Sequence, residues 1–581
     1  MLLTKVDKMV ELIRKNNRIS FEELGAKLGF SPETVEKLAR ILEDAGLFRI
    51  HYPINPLARP WITVVEAGAG KAEDERPAGK VIESYKIKEP AEDRVIADVD
   101  IYFSPEEKRN RYFVRLPKLT PFSRAFLEHA KNEVTRALPL SGLEKTKEEL
   151  RKDMEERARA VENRLMQELA SDREGIRMLA TIAINEMYGL GDLEALVADR
   201  WLEEVIINSS KVPVAVYHRK YSWLKTNLML ESEVDIENYS SQIAREVGRQ
   251  ITVLDPIMDA HLVTGDRVNA TLYPISTAGN TITLRLFARN PWTIASLVSD
   301  EVKAMSLEMA ALLWQALHYE MNIIVAGGTA SGKTSALNSL IALIPPHQRV
   351  VTIEDTRELV LPSYQWNWVP LATREPNPEG MGEVTMLDLV VNSLRMRPDR
   401  IVMGEIRRKK EAEVLFEAMH TGHSVYGTLH ADTGEQVIKR LIEPPIEIPP
   451  GEVEDIHLIL VQYRDRRKNL RRTLELSEVI PGAKIPELNH LFKWRPRADT
   501  FDKVKPPHRY TELMNLHTGM TEKEVIDDQS EKEEVLSWMK QNKLIYVDDV
   551  GKVMEAYYAD DSSLLEGIRK GQKPGKLLGG S

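Results

Sequence analysis

The residues Gly327-Gly-Thr-Ala-Ser-Gly-Lys-Thr334 complete the pattern Gly-x-x-x-x-Gly-Lys-Thr, and they carry the clearest chemistry in the sequence. Gly327, Gly328 and Gly332 allow the backbone to curl, so that the amides of the loop, Thr329, Ala330 and Ser331 included, face inward around phosphate. Lys333 can reach the β- and γ-phosphates, and Thr334 can ligate Mg²⁺. Ser335 opens a helix whose positive end faces the anion. The chemistry is binding of a nucleoside triphosphate, ATP or GTP, with Mg²⁺. Transfer of its terminal phosphoryl group to water needs a clamp on the phosphates, a metal and a group that orients water. Glu405, after the apolar Ile401-Val-Met403, is a candidate for orienting water and for helping Thr334 hold the metal. Glu354 can share the first task, and His430 can hydrogen-bond the γ-phosphate. The competing readings are that Glu405 pairs with Arg407 and that His430 is an ordinary loop histidine.

These residues are far apart in sequence and must be gathered by strands. Asn322–Ala326 is a short apolar run before the glycine loop. Arg349–Asp355 is a strand pattern ending in two acids, Arg400–Glu405 another ending in one, and Ser424–His430 a third ending in histidine. Helical patterns over Leu307–Tyr319, Thr385–Met396 and Glu411–Thr421 alternate with them, which implies a parallel sheet. In such a sheet the site lies beyond the carboxyl ends of the strands, where Gly327, Glu354, Glu405 and His430 all fall.

Upstream, Lys5–Asn16, Ser20–Phe30 with its capping serine, and a helix opened by Ser31-Pro32 precede two strand patterns, Leu47–Tyr52 and Trp61–Val65. Three helices and a strand pair imply a winged helix over residues 1–66. Its third helix offers Glu33, Glu36, Lys37, Arg40, Glu43 and Asp44, a mixed to acidic face that argues for docking to protein rather than DNA. Residues 67–80 are small, charged and aperiodic and form a linker. An α+β domain over 81–303 contains the strand patterns Val81–Ile87, Arg94–Tyr102 and Arg111–Arg115, helices over Pro121–Leu138 and from about Leu143 to Met187, and strand-like pieces after Trp201. Arg267, after a Gly-Asp turn, and Arg285, in a strand pattern, stand out; such arginines usually find a carboxylate or face solvent. Beyond the sheet domain at 304–500, the basic Arg464–Arg472 reads as a charged turn and strand edge that deters pairing, and 501–581 as a helical appendage ending in a loose tail.

The bulk numbers agree with a multidomain globular chain. Its 581 residues are 43% hydrophobic and 29% charged, and the net charge of -10 argues against a surface built for nucleic acid. With no cysteine, disulfides and thiolate metal sites are excluded. No apolar run approaches the roughly 18 residues of a membrane helix, so membrane work is expected to run through partners rather than by direct insertion.

Taken together, the glycine loop, Thr352-Ile-Glu-Asp-Thr356, Leu394-Arg-Met-Arg-Pro-Asp399, Gly404-Glu-Ile-Arg407 and Thr421-Gly-His-Ser-Val-Tyr-Gly-Thr-Leu-His430 resemble the type II/type IV secretion ATPases, in particular their archaeal pilus, archaellum and tight-adherence branch. The resemblance spans roughly Val81 to Trp494. It implies a RecA-like P-loop domain that binds ATP and Mg²⁺ in a homo-hexameric ring, with a preceding domain moving against it. By the same resemblance Glu354 and Asp355 fall in an aspartate box, His423 and His430 in a histidine box, and Arg267 and Arg285 match positions that offer arginines to nucleotide. It further implies a cytoplasmic motor at the inner face of a membrane, pushing on a multi-spanning platform protein to assemble a filament of pilin type or drive secretion. A retraction or conjugative DNA-transfer ATPase would share every motif, and an ATP-switched DNA-binding regulator is the reading from a different class. The chain departs from the pattern in having no four-cysteine zinc element, in Arg408-Lys-Lys410 where acids are common, and in Asp199-Arg-Trp201 for Asp-Pro.

Overall fold

The computed structural model describes residues 4–16, 18–53, 59–65, 79–88, 95–117, 119–137, 156–157, 159–166, 173–247, 249–262, 265–286, 291–374, 376, 380–468 and 470–579. Of the expected linker, 67–78 lie outside these residues, as do 143–155, 158 and 167–172 of the helix expected from Leu143 to Met187; the described parts of that helix, 156–157, 159–166 and Arg173–Tyr188, are helical. The chain divides into two compact units, Met1–Leu286 and Phe287–Ser581.

The first unit begins with helices Lys5–Asn16, Phe21–Leu28 and Pro32–Asp44 and a small sheet of β1 (Ile19–Ser20), β2 (Phe48–His51) and β3 (Trp61–Val64), in the order β1-β3-β2. Ser20 and Glu23 form a capping box at the second helix, and Ser31 caps the third ahead of Pro32. The third helix buries Val35, Leu38, Ala39, Ile41 and Leu42 and exposes Glu33, Lys37, Arg40 and Asp44. Its core runs on without a break into the helices Pro121–Ala137 and Arg173–Tyr188 through Phe122, Phe126 and Leu179. The buried Asp7 carboxylate secures this junction, accepting from the Thr4 amide at 2.7 Å, from Ser123 Oγ at 2.8 Å and from the Thr120 hydroxyl. A carboxylate removed from water needs such donors to be tolerated.

A nine-stranded sheet follows. It consists of β4 (Lys80–Lys88), β5 (Val95–Ser104), β6 (Arg109–Arg115), β7 (Leu202–Ile207), β8 (Ala215–His218), β9 (Ser222–Lys225), β10 (Ile257–His261), β11 (Arg267–Thr271) and β12 (Thr281–Arg285). Their order is β10-β11-β12-β7-β8-β9-β6-β5-β4, antiparallel except at the β6–β9 contact. The stretch Asp259–Ala270 doubles back near Gly265 into the β10–β11 hairpin, with Gly265 at φ 94°.

The second unit is built on β13 (Ile323–Gly327), β14 (Val350–Glu354), β15 (Trp368–Ala372), β16 (Arg400–Met403), β17 (Ser424–Leu429), β18 (Leu458–Asp465), β19 (Leu470–Ile480), β20 (Glu487–Arg495) and β21 (Thr500–Lys503). The order is β15-β14-β16-β17-β13-β18-β19-β20-β21. From β15 to β18 the pairing is parallel; from β18 to β21 it is antiparallel. Helices on both faces explain why β13, β14, β16 and β17 are buried along their whole length and read as largely apolar runs without alternation. Helices Leu307–His318 and Lys333–Ile341 share one core with one face; Met386–Ser393, Lys409–His420 and Gly434–Ile442 share another with the opposite face.

The basic run Arg464–Arg472 forms the turn of the hairpin between β18 and β19; pairing of β13 with β18 ends at Gln462 and pairing of β19 with β20 begins at Glu475, so the charged stretch carries no further strand on either flank, as expected. One expectation changes here. The helices Arg509–Thr518, Glu522–Gln541, Val547–Ala559 and Asp561–Arg569 share the core of the helix Leu307–His318 rather than standing apart from it. Trp314 donates to Tyr558 Oη at 2.9 Å, and Gln315 donates to the Val525 carbonyl at 2.8 Å while accepting from Tyr510 at 2.8 Å. Even the expected loose tail contains a helical turn, Pro574–Leu577, with Leu577 and Leu578 packed on this core. Among the described residues no helix is long and apolar enough to cross a membrane.

Candidate functional site

The glycine loop leaves the carboxyl end of β13 and enters the helix Lys333–Ile341. Gly327 sits at φ 151°, and a Cβ there would lie 2.4 Å from both the Gln462 carbonyl and Ser331 Oγ, so no other residue fits. Ala330 at φ 59° and Gly332 at φ 97° complete the curl. Lys333 folds back over it, its Nζ donating to the carbonyls of Gly327 at 3.0 Å and Gly328 at 3.1 Å. Burial holds its ammonium below the usual lysine range, although Glu405 and Asp432 pull the other way. An ammonium held by two neutral carbonyls, with no carboxylate hydrogen-bonded to it, in a part-buried site is a ready partner for an anion.

Facing the loop across β17 are the other candidates. His430, directly after β17, places Nε2 3.4 Å from Lys333 Nζ and 3.9 Å from Glu405 Oε1. Burial and the Lys333 charge hold the imidazole below its ordinary pKa, so it is neutral at pH 7. Glu405 is fixed by its flanks: the Gly404 amide donates to the Ile353 carbonyl, the Ile406 amide donates to Thr428, and Thr428 Oγ1 donates to the Gly404 carbonyl at 2.6 Å. Its Oε2 accepts from Arg407 Nε at 2.8 Å, and Arg407 also reaches Asp355. The pairing with Arg407 is therefore present, and the Oε1 side is the one turned toward His430 and the loop.

Glu354 ends β14 and is almost fully buried. Its Oε1 accepts from the amides of Glu358 at 2.9 Å and Leu359 at 3.0 Å, while Oε2 is buried without a hydrogen-bond partner. Burial pushes its pKa up to about 7 against the pull of those two amides. Gly404 is packed against it, a Cβ there lying 3.3 Å from Glu354 Cγ. His423 is at the start of β17, at the other end of that strand from His430, where its ring meets Thr421 and Ala418.

Arg267 and Arg285 belong to the first unit. They stand directly opposite each other on β11 and β12, both exposed. Arg267 clasps Asp259 with two donors, Nε at 2.9 Å, and Arg285 faces Glu204 of β7 on its other side.

A pocket of about 520 Å³ opens beside the loop, lined by Glu405, Arg407, His430, Asp432, Gln436 and Arg440. Asp432, Gln436 and Arg440 were missed in the sequence. Asp432 lies two residues past His430 with Oδ1 2.9 Å from where a Cβ on Gly328 would stand, and the i, i+4 spacing of Gln436 and Arg440 on the helix Gly434–Ile442 was the available signal. Arg471, in the basic hairpin, donates from Nε to the Ala330 carbonyl at 3.2 Å.

The residues fit a polyphosphate. The loop supplies amides and an ammonium, and Ser331 Oγ is a buried hydroxyl without a hydrogen-bond partner. No group of three or more His, Asp or Glu among the described residues could hold a metal by itself.

A family model described as "Type II/IV secretion system protein" matches residues 196–454, which take in every motif of the site. An uncharacterized protein of Methanocaldococcus jannaschii is 36% identical over 257 residues, 43% of this chain and 94% of that one. The chain belongs to the type II/IV secretion system protein family. Another uncharacterized protein of the same organism is 35% identical over 321 residues, 54% of this chain and 57% of the other, so the match spans about half the length of that relative. The type IV secretion system protein PtlH of Bordetella pertussis is 32% identical over 218 residues, 34% of this chain and 64% of PtlH. The family match ends short of the β18–β19 hairpin that carries Arg471 and begins beyond the N-terminal helices, so those parts of this secretion-family chain rest on their own geometry.

Proposed function

We propose that this secretion-family protein is an ATPase whose Phe287–Ser581 unit is a RecA-like P-loop domain and whose turnover drives assembly of a filament or secretion of protein. The observation that carries the reading is the grouping of Lys333, His430 and Glu405 at the carboxyl ends of adjacent parallel strands, with Lys333 parked on carbonyls an anion would replace. In this reading the loop amides from Gly327 to Thr334 and Lys333 hold the phosphates, and Thr334 with Glu405 holds Mg²⁺, which neutralises phosphate charge when bound. Glu405 turns from Arg407 to orient the attacking water. Glu354 anchors the segment that follows β14 through the Glu358 and Leu359 amides, and its second oxygen is buried without a hydrogen-bond partner. Neutral His430 donates to the γ-phosphate and so reports its loss.

The remaining parts of the reading are a homo-hexameric ring, cytoplasmic and tied to a membrane through a multi-spanning platform protein and filament components, in which Arg267 and Arg285 meet nucleotide. The N-terminal 1–66 module is a winged helix used for docking to protein. Its third helix exposes both acids and bases and packs its apolar face toward Pro121–Ala137, which supports docking over DNA reading. The test is a steady-state ATPase assay with equilibrium nucleotide binding on the full chain. Wild type is expected to hydrolyse ATP with Mg²⁺, and Glu405→Gln to bind ATP while turnover falls by on the order of 10²-fold. Undiminished turnover in that variant would remove Glu405 from its role, and an inert wild type in every oligomeric state would remove the ATPase reading.

A further inference from the structure

We propose that Arg471 is a nucleotide-contacting residue, meeting the α-phosphate and nucleoside end of a bound nucleoside triphosphate from the β18 side of the glycine loop. The inference rests on the ATPase reading and adds the flank that the motifs leave blank. In the sheet, β13 lies between β17 and β18. The groups assigned to hydrolysis, Glu354, Glu405 and His430, all follow strands on the β17 side, so the γ-phosphate end must point that way. The nucleoside end then leaves on the opposite flank.

That flank is formed by the hairpin of β18 and β19. Gly327, the last residue of β13, pairs with Gln462, and β18 continues past it to Asp465 before β19 returns at Leu470. The hairpin thus stands beyond the loop as a wall. On this wall Arg471 and Arg464 are direct cross-strand partners, so two guanidinium groups share one face. Arg471 is the one that reaches the loop: Nε donates to the Ala330 carbonyl at 3.2 Å, and Cδ lies 3.6 Å from where a Cβ on Gly332 would stand. Gly332 is the N-cap of the helix Lys333–Ile341. A cation at a helix N-terminus, one residue from a second cation, opposes the helix dipole. An anionic group bridging the two flanks removes that conflict, and a planar guanidinium can both pair with a phosphate and lie on a purine ring. Arg471, like Lys333, rests on a loop carbonyl that a nucleotide would relieve.

The test is isothermal titration of the full chain with ADP, a non-hydrolysable ATP analogue and inorganic pyrophosphate, each with Mg²⁺ at fixed salt, on wild type, R471A, R471K and R467A. Arg467 is an exposed residue at the hairpin tip and serves as the control for loss of charge. R471A is expected to weaken ADP and the ATP analogue about tenfold or more, to leave pyrophosphate within about twofold because it sits by Lys333, and to melt like wild type. R471K is expected to recover part of the loss, and R467A to bind all three ligands like wild type. Equal losses for pyrophosphate and ADP would mean that Arg471 acts only by shaping the loop, and would overturn the inference. So would wild-type nucleotide affinity in R471A, which leaves the ATPase reading standing. A wild-type chain that binds none of the three ligands would instead overturn the ATPase reading, and this one with it.

Discussion

In the second unit six neighbouring strands, β15 to β18 through β13, run in one direction, whereas the nine-stranded sheet of the first unit reverses direction at every contact but one. The consequence is chemical. Parallel strands bring all their carboxyl ends to one side, so residues as distant in sequence as Lys333, Glu354, Glu405 and His430 converge without further help. Alternating strands send consecutive ends to opposite sides, and their polar residues meet by cross-strand pairing instead. That is how Arg267 comes to face Arg285 while clasping Asp259. One sheet builds a site; the other displays a pair of cations on its surface.

The contrast can be broken most directly at its centre. Lys333→Ala is expected to weaken ATP by on the order of 10²-fold or more, since it removes the only ammonium among the described residues that lies on the glycine loop. Equilibrium binding with a fluorescent nucleotide checks it. Arg267→Ala and Arg285→Ala are expected to spare nucleotide affinity and, on the role proposed for them, to lower steady-state turnover about tenfold. If either arginine variant lost affinity as Lys333→Ala does, the division of labour between the two sheets would be wrong.

The smallest effect concerns Glu354 and the pH dependence of the fold. Its carboxyl is held near pKa 7 by burial, against 4.5 for an unperturbed glutamate. Between those values the folded chain keeps a proton that the unfolded chain has released. Its contribution to stability is therefore full below pH 4.5 and is lost as pH rises through 7, with a slope of at most about 1.4 kcal/mol per pH unit. Glu354→Gln cannot ionise, so its melting temperature is expected to match wild type near pH 4.5 and exceed it by a few degrees at pH 8. A constant difference across that range would show that Glu354 is charged in the fold or that its burial is relieved.

Much of the site was legible because its parts are local patterns. The glycine loop, the acid after β14, the glutamate after Ile401-Val-Met403 and the histidine after β17 each follow a short apolar run, and such runs are strands when helices cover both faces. β15 was not legible: Trp368-Val-Pro-Leu-Ala372 carries a proline in mid-run, which is tolerated because β15 is an edge strand. The basic run Arg464–Arg472 was legible as a charged turn whose flanks carry no further strand, whereas the cross-strand pairing of Arg464 with Arg471 inside that hairpin was not.

By itself, then, the sequence determined the glycine loop between strand and helix, the parallel sheet and the family, because these depend on residue type and spacing within a few turns or strands. Tertiary structure alone decided which oxygen of Glu354 is committed to the Glu358 and Leu359 amides, that Glu405 rests on Arg407, and that the C-terminal helices share the core of Leu307–His318. It also decided that Arg471 lies against Ala330, across 141 residues of chain. Such contacts are set by strand order and by which faces are buried, and neither is written in any one stretch of the chain.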